Sequence, residues 1–325
     1  KKNRTQLMLD ELVHLHMSKE LKGWLLLLLL ACIWGSSFIL MKKGMFANDG
    51  SPIFSDTQVG SLRMLIASLV LLPFGLKHLK HIKNFKQLLS LSIVGFFGNF
   101  FPAFLFTYSE TGISSGFAGM LNSFTPIFTV LIGYFIFKVK LTPIQLIGIL
   151  IGTVGIYFLM AAGKSISKTG NWSHIIAVVV ATLFYGISLN TIKHTLQQFS
   201  AIQITSLAFT VILPPSLIAT YGFGTFSTIR VNPHALDGLL YISILSIIGT
   251  ALAVVLFNRI ISVRSALFAS SVTYFIPVVA VIIGYFFKEQ IGYWQVVAMF
   301  IILAGVILVN LGPLLLKQKE SEKKN

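Results

Sequence analysis

Two ten-residue stretches decide how this chain is read: Pro126–Phe135, PIFTVLIGYF, and Pro277–Phe286, PVVAVIIGYF. They are identical at six of ten positions, end on the same Ile-Gly-Tyr-Phe, and lie 151 residues apart. The same offset recurs elsewhere. Ser92–Phe106, SIVGFFGNFFPAFLF, meets Ser243–Phe257, SILSIIGTALAVVLF, and Trp34-Gly35-x-Ser37 meets Tyr185-Gly186-x-Ser188. Three segments in register at one offset mark an internal duplication. A further match, Gln58–Arg63 (QVGSLR) with Gln203–Ala208 (QITSLA), needs a shorter offset, consistent with a shorter connector in the second copy.

The composition says what is duplicated. Of 325 residues, 55% are hydrophobic and 11% charged, and the mean hydropathy of +0.84 is too apolar for a soluble globule. A helix needs about 20 apolar residues to cross some 30 Å of hydrocarbon. Windows of that kind recur ten times: Leu21–Lys42, Ser55–Leu76, Gln87–Tyr108, Gly112–Phe137, Pro143–Ala162, Trp172–Lys193, Ala201–Tyr221, Leu236–Phe257, Ala266–Phe287 and Trp294–Leu315. The expected fold is therefore an all-α integral membrane protein of ten transmembrane helices. It divides into a segment 1–20, a five-helix repeat 21–162, a second five-helix repeat 172–315, and a tail 316–325. An odd number of spans per copy makes the second copy enter the membrane upside down. Inverted repeats of this sort carry a solute site between them, near the midplane, in many secondary transporters.

The formal charge of +15 reports orientation rather than a nucleic-acid partner. With both termini cytoplasmic, 18 Lys and Arg fall on the inner side and six on the outer, with Arg63 left inside a span. That asymmetry is the positive-inside pattern, with membrane lipid as the partner of the basic loops. The single cysteine, Cys32, excludes an internal disulfide.

Trp34-Gly35-Ser36-Ser37-Phe38, Arg63, the Pro126 and Pro277 helices and the Glu289…Gln295 connector together resemble the drug/metabolite transporter superfamily, in its EamA-type ten-helix branch. The resemblance covers both copies. It implies a bacterial cytoplasmic (inner) membrane protein, multi-pass, that exports small metabolites, often amino acids, by alternating access. One departure is plain. First copies of such proteins commonly carry a Glu after the fourth span, where this chain has Val139.

Arg63 is the clear ionisable group inside a span, and such groups are costly there. Three readings stand: it snorkels to the outer interface, pairs with an outer carboxylate, or attracts an anionic group of the solute. Glu110 is the nearest comparable acid, so an Arg63–Glu110 contact would form a gate. Glu110 could alternatively couple protons, or be a solvated loop acid. Trp34, Ser37, Arg63, Asn99, Asn122, Tyr185 and Tyr274 are the expected substrate path, supplying hydrogen bonds and aromatic faces without a buried acid. This suits neutral, zwitterionic or anionic solutes. Pro126 and Pro277, each freeing one carbonyl, are the expected hinges. No catalytic residue, metal or cofactor is expected. The competing class is an intramembrane serine hydrolase, on Gly112-Ile113-Ser114-Ser115-Gly116, but that motif opens a helix and lacks a base among the histidines. A channel or lipid scramblase is the third class.

Overall fold

A computed structural model describes residues 4–164, 172–263 and 272–322. The helices in order are α1 (Arg4–Met45), α2 (Asp56–His78), α3 (Phe85–Gly95), α4 (Phe101–Glu110), α5 (Ser115–Leu121), α6 (Phe124–Phe135), α7 (Pro143–Lys164), α8 (Trp172–Thr195), α9 (Ala201–Gly222), α10 (Thr225–Val231), α11 (Ala235–Ser246), α12 (Ala253–Val263), α13 (Val272–Phe286) and α14 (Tyr293–Glu322). Among the described residues, eight helical segments are long and apolar enough to cross a membrane. Two further apolar helical stretches, Val272–Phe286 and Tyr293–Val309, are shorter.

The copies share local signals as well as hydropathy. α2 and α9 each open with a capping box, Ser55 with Gln58 and Ser200 with Gln203, in which side chain and backbone satisfy each other at the helix start. The third span of each copy carries a π-helical insert, Phe96–Phe100 between α3 and α4 and Ile247–Leu252 between α11 and α12. The two inserts begin 151 residues apart. Each frees a carbonyl that a side chain five residues on then occupies: Asn99 Nδ2 donates to the Val94 carbonyl at 3.2 Å, and Thr250 Oγ1 to that of Leu245 at 3.1 Å. The connectors after α6 and α13 match too, each placing a lysine in the left-handed region, Lys138 at φ 57° and Lys288 at φ 60°. Val139 and Glu289 follow them and are thus equivalent.

Two expectations change in detail. The span expected over Gly112–Phe137 is two helices, broken at Asn122–Ser123. Pro126, expected in mid-span, therefore sits in the first turn of α6, whereas Pro277 lies inside α13. A proline has no N–H to lose in a first turn, so Pro126 starts a helix instead of bending one. The counterpart of α5, within 264–271, lies outside the described residues.

The copies interlock. α1 packs on α13, α11 and α12; α8 packs in the mirrored way on α6, α4 and α3; α2 lies on α9 and α7 on α14. Small residues set these approaches, as expected where lipid removes any hydrophobic drive for helices to associate. A methyl at Gly305 would fall 2.6 Å from the Gly148 carbonyl oxygen and against the Gly152 backbone. Because backbone cannot rotate away, Gly305→Val should cost roughly 1 to 3 kcal/mol by overpacking. A lowered thermal unfolding midpoint in detergent is expected, with Phe300→Ala on the exposed side of the same helix as the unaffected control.

Candidate functional site

The aromatic-Gly-x-Ser segments of α1 and α8 form two crossings that repeat each other residue for residue. At Gly35 a methyl would lie 2.5 Å from Val279 Cγ1; at Gly186 it would lie 3.0 Å from the Phe128 backbone. Phe128 and Val279 are equivalent, 151 apart. Ser37 stands against Gly249 of one π-insert and Ser188 against Gly98 of the other. Trp34 tilts on Phe257 with centroids 5.2 Å apart, and Tyr185 stacks on the equivalent Phe106 at 5.9 Å. Reciprocal contacts of this kind are the signature of a two-fold relation. Here it joins two copies within one chain.

A cavity of about 190 Å³ lies where the crossings meet. Trp34, Ser37, Arg63, Asn99, Asn122 and Tyr185 all line it, with Thr250 and Asn258. Tyr274 is not among the lining residues; it is half-buried against the apolar core beside it, while its neighbour Thr273 reaches the wall. Polar atoms on the wall are held from behind. Trp34 Nε1 donates to the Gly249 carbonyl at 3.2 Å, and Ser37 Oγ to that of Ile33 at 2.9 Å in its own helix. Asn258 Nδ2 donates to Thr205 Oγ1 at 2.8 Å. Ser37 thus faces the cavity and the neighbouring insert at once, with its proton engaged at home.

Arg63 is placed by two contacts. Its Nε donates to Thr250 Oγ1 at 2.9 Å, and Nη1 lies 3.7 Å from Met41 Sδ. Glu110 does not reach it. The Glu110 side chain is 1% exposed, which overturns its reading as a solvated loop acid. Its Oε2 accepts from the Ser115 hydroxyl at 2.7 Å, and Oε1 has no hydrogen-bond partner among the described residues. The ion pair on this side of the molecule is a different one.

Lys42 Nζ, at the end of α1, donates to Glu289 Oε1 at 3.0 Å. The same carboxylate accepts the backbone N–H groups of Ser115 and Gly116, each at 3.0 Å, at the start of α5. One acid thus ties together the first helix, the fourth span and the connector between α13 and α14. Burial pushes the Glu289 carboxyl up, but Lys42 and the two amides outweigh it and hold it below the usual carboxylate range. Sequence reasoning had no signal for this cluster, because its members are separated by up to 247 residues. The sole hint was that Glu289 has no acidic counterpart at Val139.

The hydrolase motif is otherwise employed. Ser114 caps α5 by accepting from the Phe117 N–H at 3.2 Å, and the nearby His174 contacts Thr111 Oγ1 at 3.1 Å. Among the described residues, no group of three or more His, Cys, Asp or Glu could hold a metal ion.

Comparison with known proteins gives the same picture at the level of the whole chain. A model of the EamA-like transporter family matches twice, over residues 21–161 and 172–311. An "Uncharacterized inner membrane transporter YedA" of Escherichia coli K12 is 27% identical over 291 residues, which covers 88% of this chain and 90% of that protein. A "Probable amino-acid metabolite efflux pump" of Salmonella typhimurium LT2 is 28% identical over 152 residues, 46% of this chain and 47% of that one. A solved structure titled only "Crystal structure of protein" covers 89% of this chain and 97% of its own, with a TM-score of 0.56 at 15% identity, a likeness of fold alone.

Proposed function

Because this chain belongs to the EamA-like transporter family, we propose that it is a secondary carrier that exports small metabolites, amino acids or similar solutes, across the bacterial inner membrane by alternating access. The observation that carries this reading is the reciprocal crossing of α1 and α8 around one cavity. A site built from two equivalent halves can be exposed to either side by rocking one half against the other, with the contacts exchanged between equivalent partners.

In this reading ten spans cross the membrane as two inverted repeats, 21–162 and 172–315, flanked by cytoplasmic segments 1–20 and 316–325. The excess of basic residues in the inner loops supports that orientation. Trp34, Ser37, Arg63, Asn99, Asn122 and Tyr185 contact the solute, with Tyr274 behind them. The break before Pro126 and the helix around Pro277 serve as hinges. The outer gate is the Lys42–Glu289 pair on the Ser115 and Gly116 amides, with Glu110 buried beneath it as the group that senses or couples its opening. In this reading the chain is a carrier rather than an enzyme, which is supported by relatives named as transporters and by the use of Ser114 as a helix cap.

The test is counterflow in proteoliposomes loaded with a candidate amino acid or organic acid. Saturable uptake of labelled solute, accelerated by unlabelled solute on the far side, is expected of a carrier. Non-saturating flux would mean a channel or scramblase and would end this reading.

A further inference from the structure

Among the described residues, Arg63 is the only charged one on the cavity wall, and none of them gives it a counter-ion. Five carboxylates lie between residues 21 and 309, and each is engaged or placed elsewhere. Glu110 takes the Ser115 hydroxyl and Glu289 takes Lys42. Asp49 binds Ser51 in an exposed turn, Asp56 opens α2, and Asp237 lies 3.9 Å from His234. A guanidinium removed from water is costly unless an anion compensates it. Its only acceptors here are a threonine hydroxyl and a thioether sulfur, the latter a weak one. Nη2 has no hydrogen bond among the described residues, so part of the planar fork remains for a bidentate acceptor.

Resting on the carrier reading above, we infer that the cavity selects solutes carrying one carboxylate on an apolar body, with Arg63 as the carboxylate anchor. The Thr250 contact fixes the guanidinium, since Thr250 is itself tied to the Leu245 carbonyl of the π-insert. The two aromatic pairs, Trp34 with Phe257 and Tyr185 with Phe106, supply the apolar walls. A single cation matches a single negative charge. A polyanion would bring further charges into a wall that shows no second cation among the described residues.

Binding to the full chain in lipid nanodiscs, read by thermal shift and calorimetry, tests this with four probes: 4-methylpentanoate, L-leucine, 4-methylpentanamide and L-leucinamide. The two carboxylates are expected to bind and the two amides to bind at least about tenfold more weakly, the size of a charge-assisted contact. Arg63→Gln should remove the difference between acid and amide, and Arg63→Lys should retain part of it. Equal binding of acid and amide to the unaltered protein overturns the assignment, as does binding of neither carboxylate, or a shift produced equally by sodium chloride alone. The comparison on the unaltered protein stands even if Arg63→Gln fails to fold. Carboxylate binding without counterflow would leave the anchor in place and remove the carrier reading instead.

Discussion

Replacing Glu289 with alanine is expected to reduce transport by at least tenfold while the protein still folds and binds solute. The carboxylate is 8% exposed at the side chain, Lys42 33%, and three donors converge on it. Removing one partner of a buried pair typically costs about 3 to 5 kcal/mol. With Lys42 partly solvated the lower end applies, and about 3 kcal/mol shifts a closed-to-open ratio by roughly a hundredfold. The outer side would then rarely close, so return of the empty carrier would become the slow step. Lys42→Ala should have a smaller effect, because the two amides remain. The pH dependence has a definite sign. The Glu289 carboxyl is held below its ordinary value of 4.5, so its contribution is complete above that value and lost only as pH falls through the depressed one. Initial rates in proteoliposomes should therefore show no loss of the latch between neutral pH and about pH 5 on the outer side. A loss in that window that Glu289→Gln abolishes would show that the latch titrates higher than its surroundings dictate.

The second large effect is expected at the π-inserts. Gly98→Val and Gly249→Val each place two methyl groups against Ser188 and Ser37, where α1 and α8 cross the inserts beside the cavity. Overpacking of roughly 1 to 3 kcal/mol per site would be added to direct obstruction of the cavity. Transport should fall about 5- to 150-fold on the packing cost alone. Equivalence predicts something more specific than inactivation: the two variants should be impaired to similar extents. Unequal solute binding constants in the two, with one like the unaltered protein, would argue that only one crossing lies on the path.

Both predictions depend on features with different legibility in the sequence. Hydropathy and the 151-residue offset suffice for an all-helical, duplicated membrane chain and for eight of its long apolar helices, because each signal is local or is carried twice. Trp34-Gly35-x-Ser37 and Tyr185-Gly186-x-Ser188 could be picked out as a contact for the same reason. Their partners could not. Gly98 and Gly249 also lie 151 apart, but a π-insert depends on backbone geometry that no residue pattern spells out, and glycines are common in membrane helices. The latch was harder still, since Lys42 and Glu289 look like ordinary interfacial charges and meet only after the copies interlock. Glu110 misled for the opposite reason. It follows a span and reads as loop, yet the last turn of α4 is covered by α5, whose Ser115 bonds it. The expected Arg63–Glu110 gate thus separates into two clusters, a cation on the cavity wall and a buried acid beneath the latch.

The central claim is that one cavity opens to the two sides in turn, with Glu289 holding the outer side shut. Pulsed electron spin distance measurement tests it most directly. Spin labels would be placed in a Cys32→Ser background at the exposed Asn48 and Gln290 beside the latch, and at the equivalent exposed Gln198 and Lys140 at the opposite ends of the helices. The account predicts a short and a long population for the outer pair, with the inner pair weighted the opposite way. Solute should shift the weights, and Glu289→Ala should enrich the long outer distance. A single outer distance, unmoved by solute and by Glu289→Ala, would contradict it.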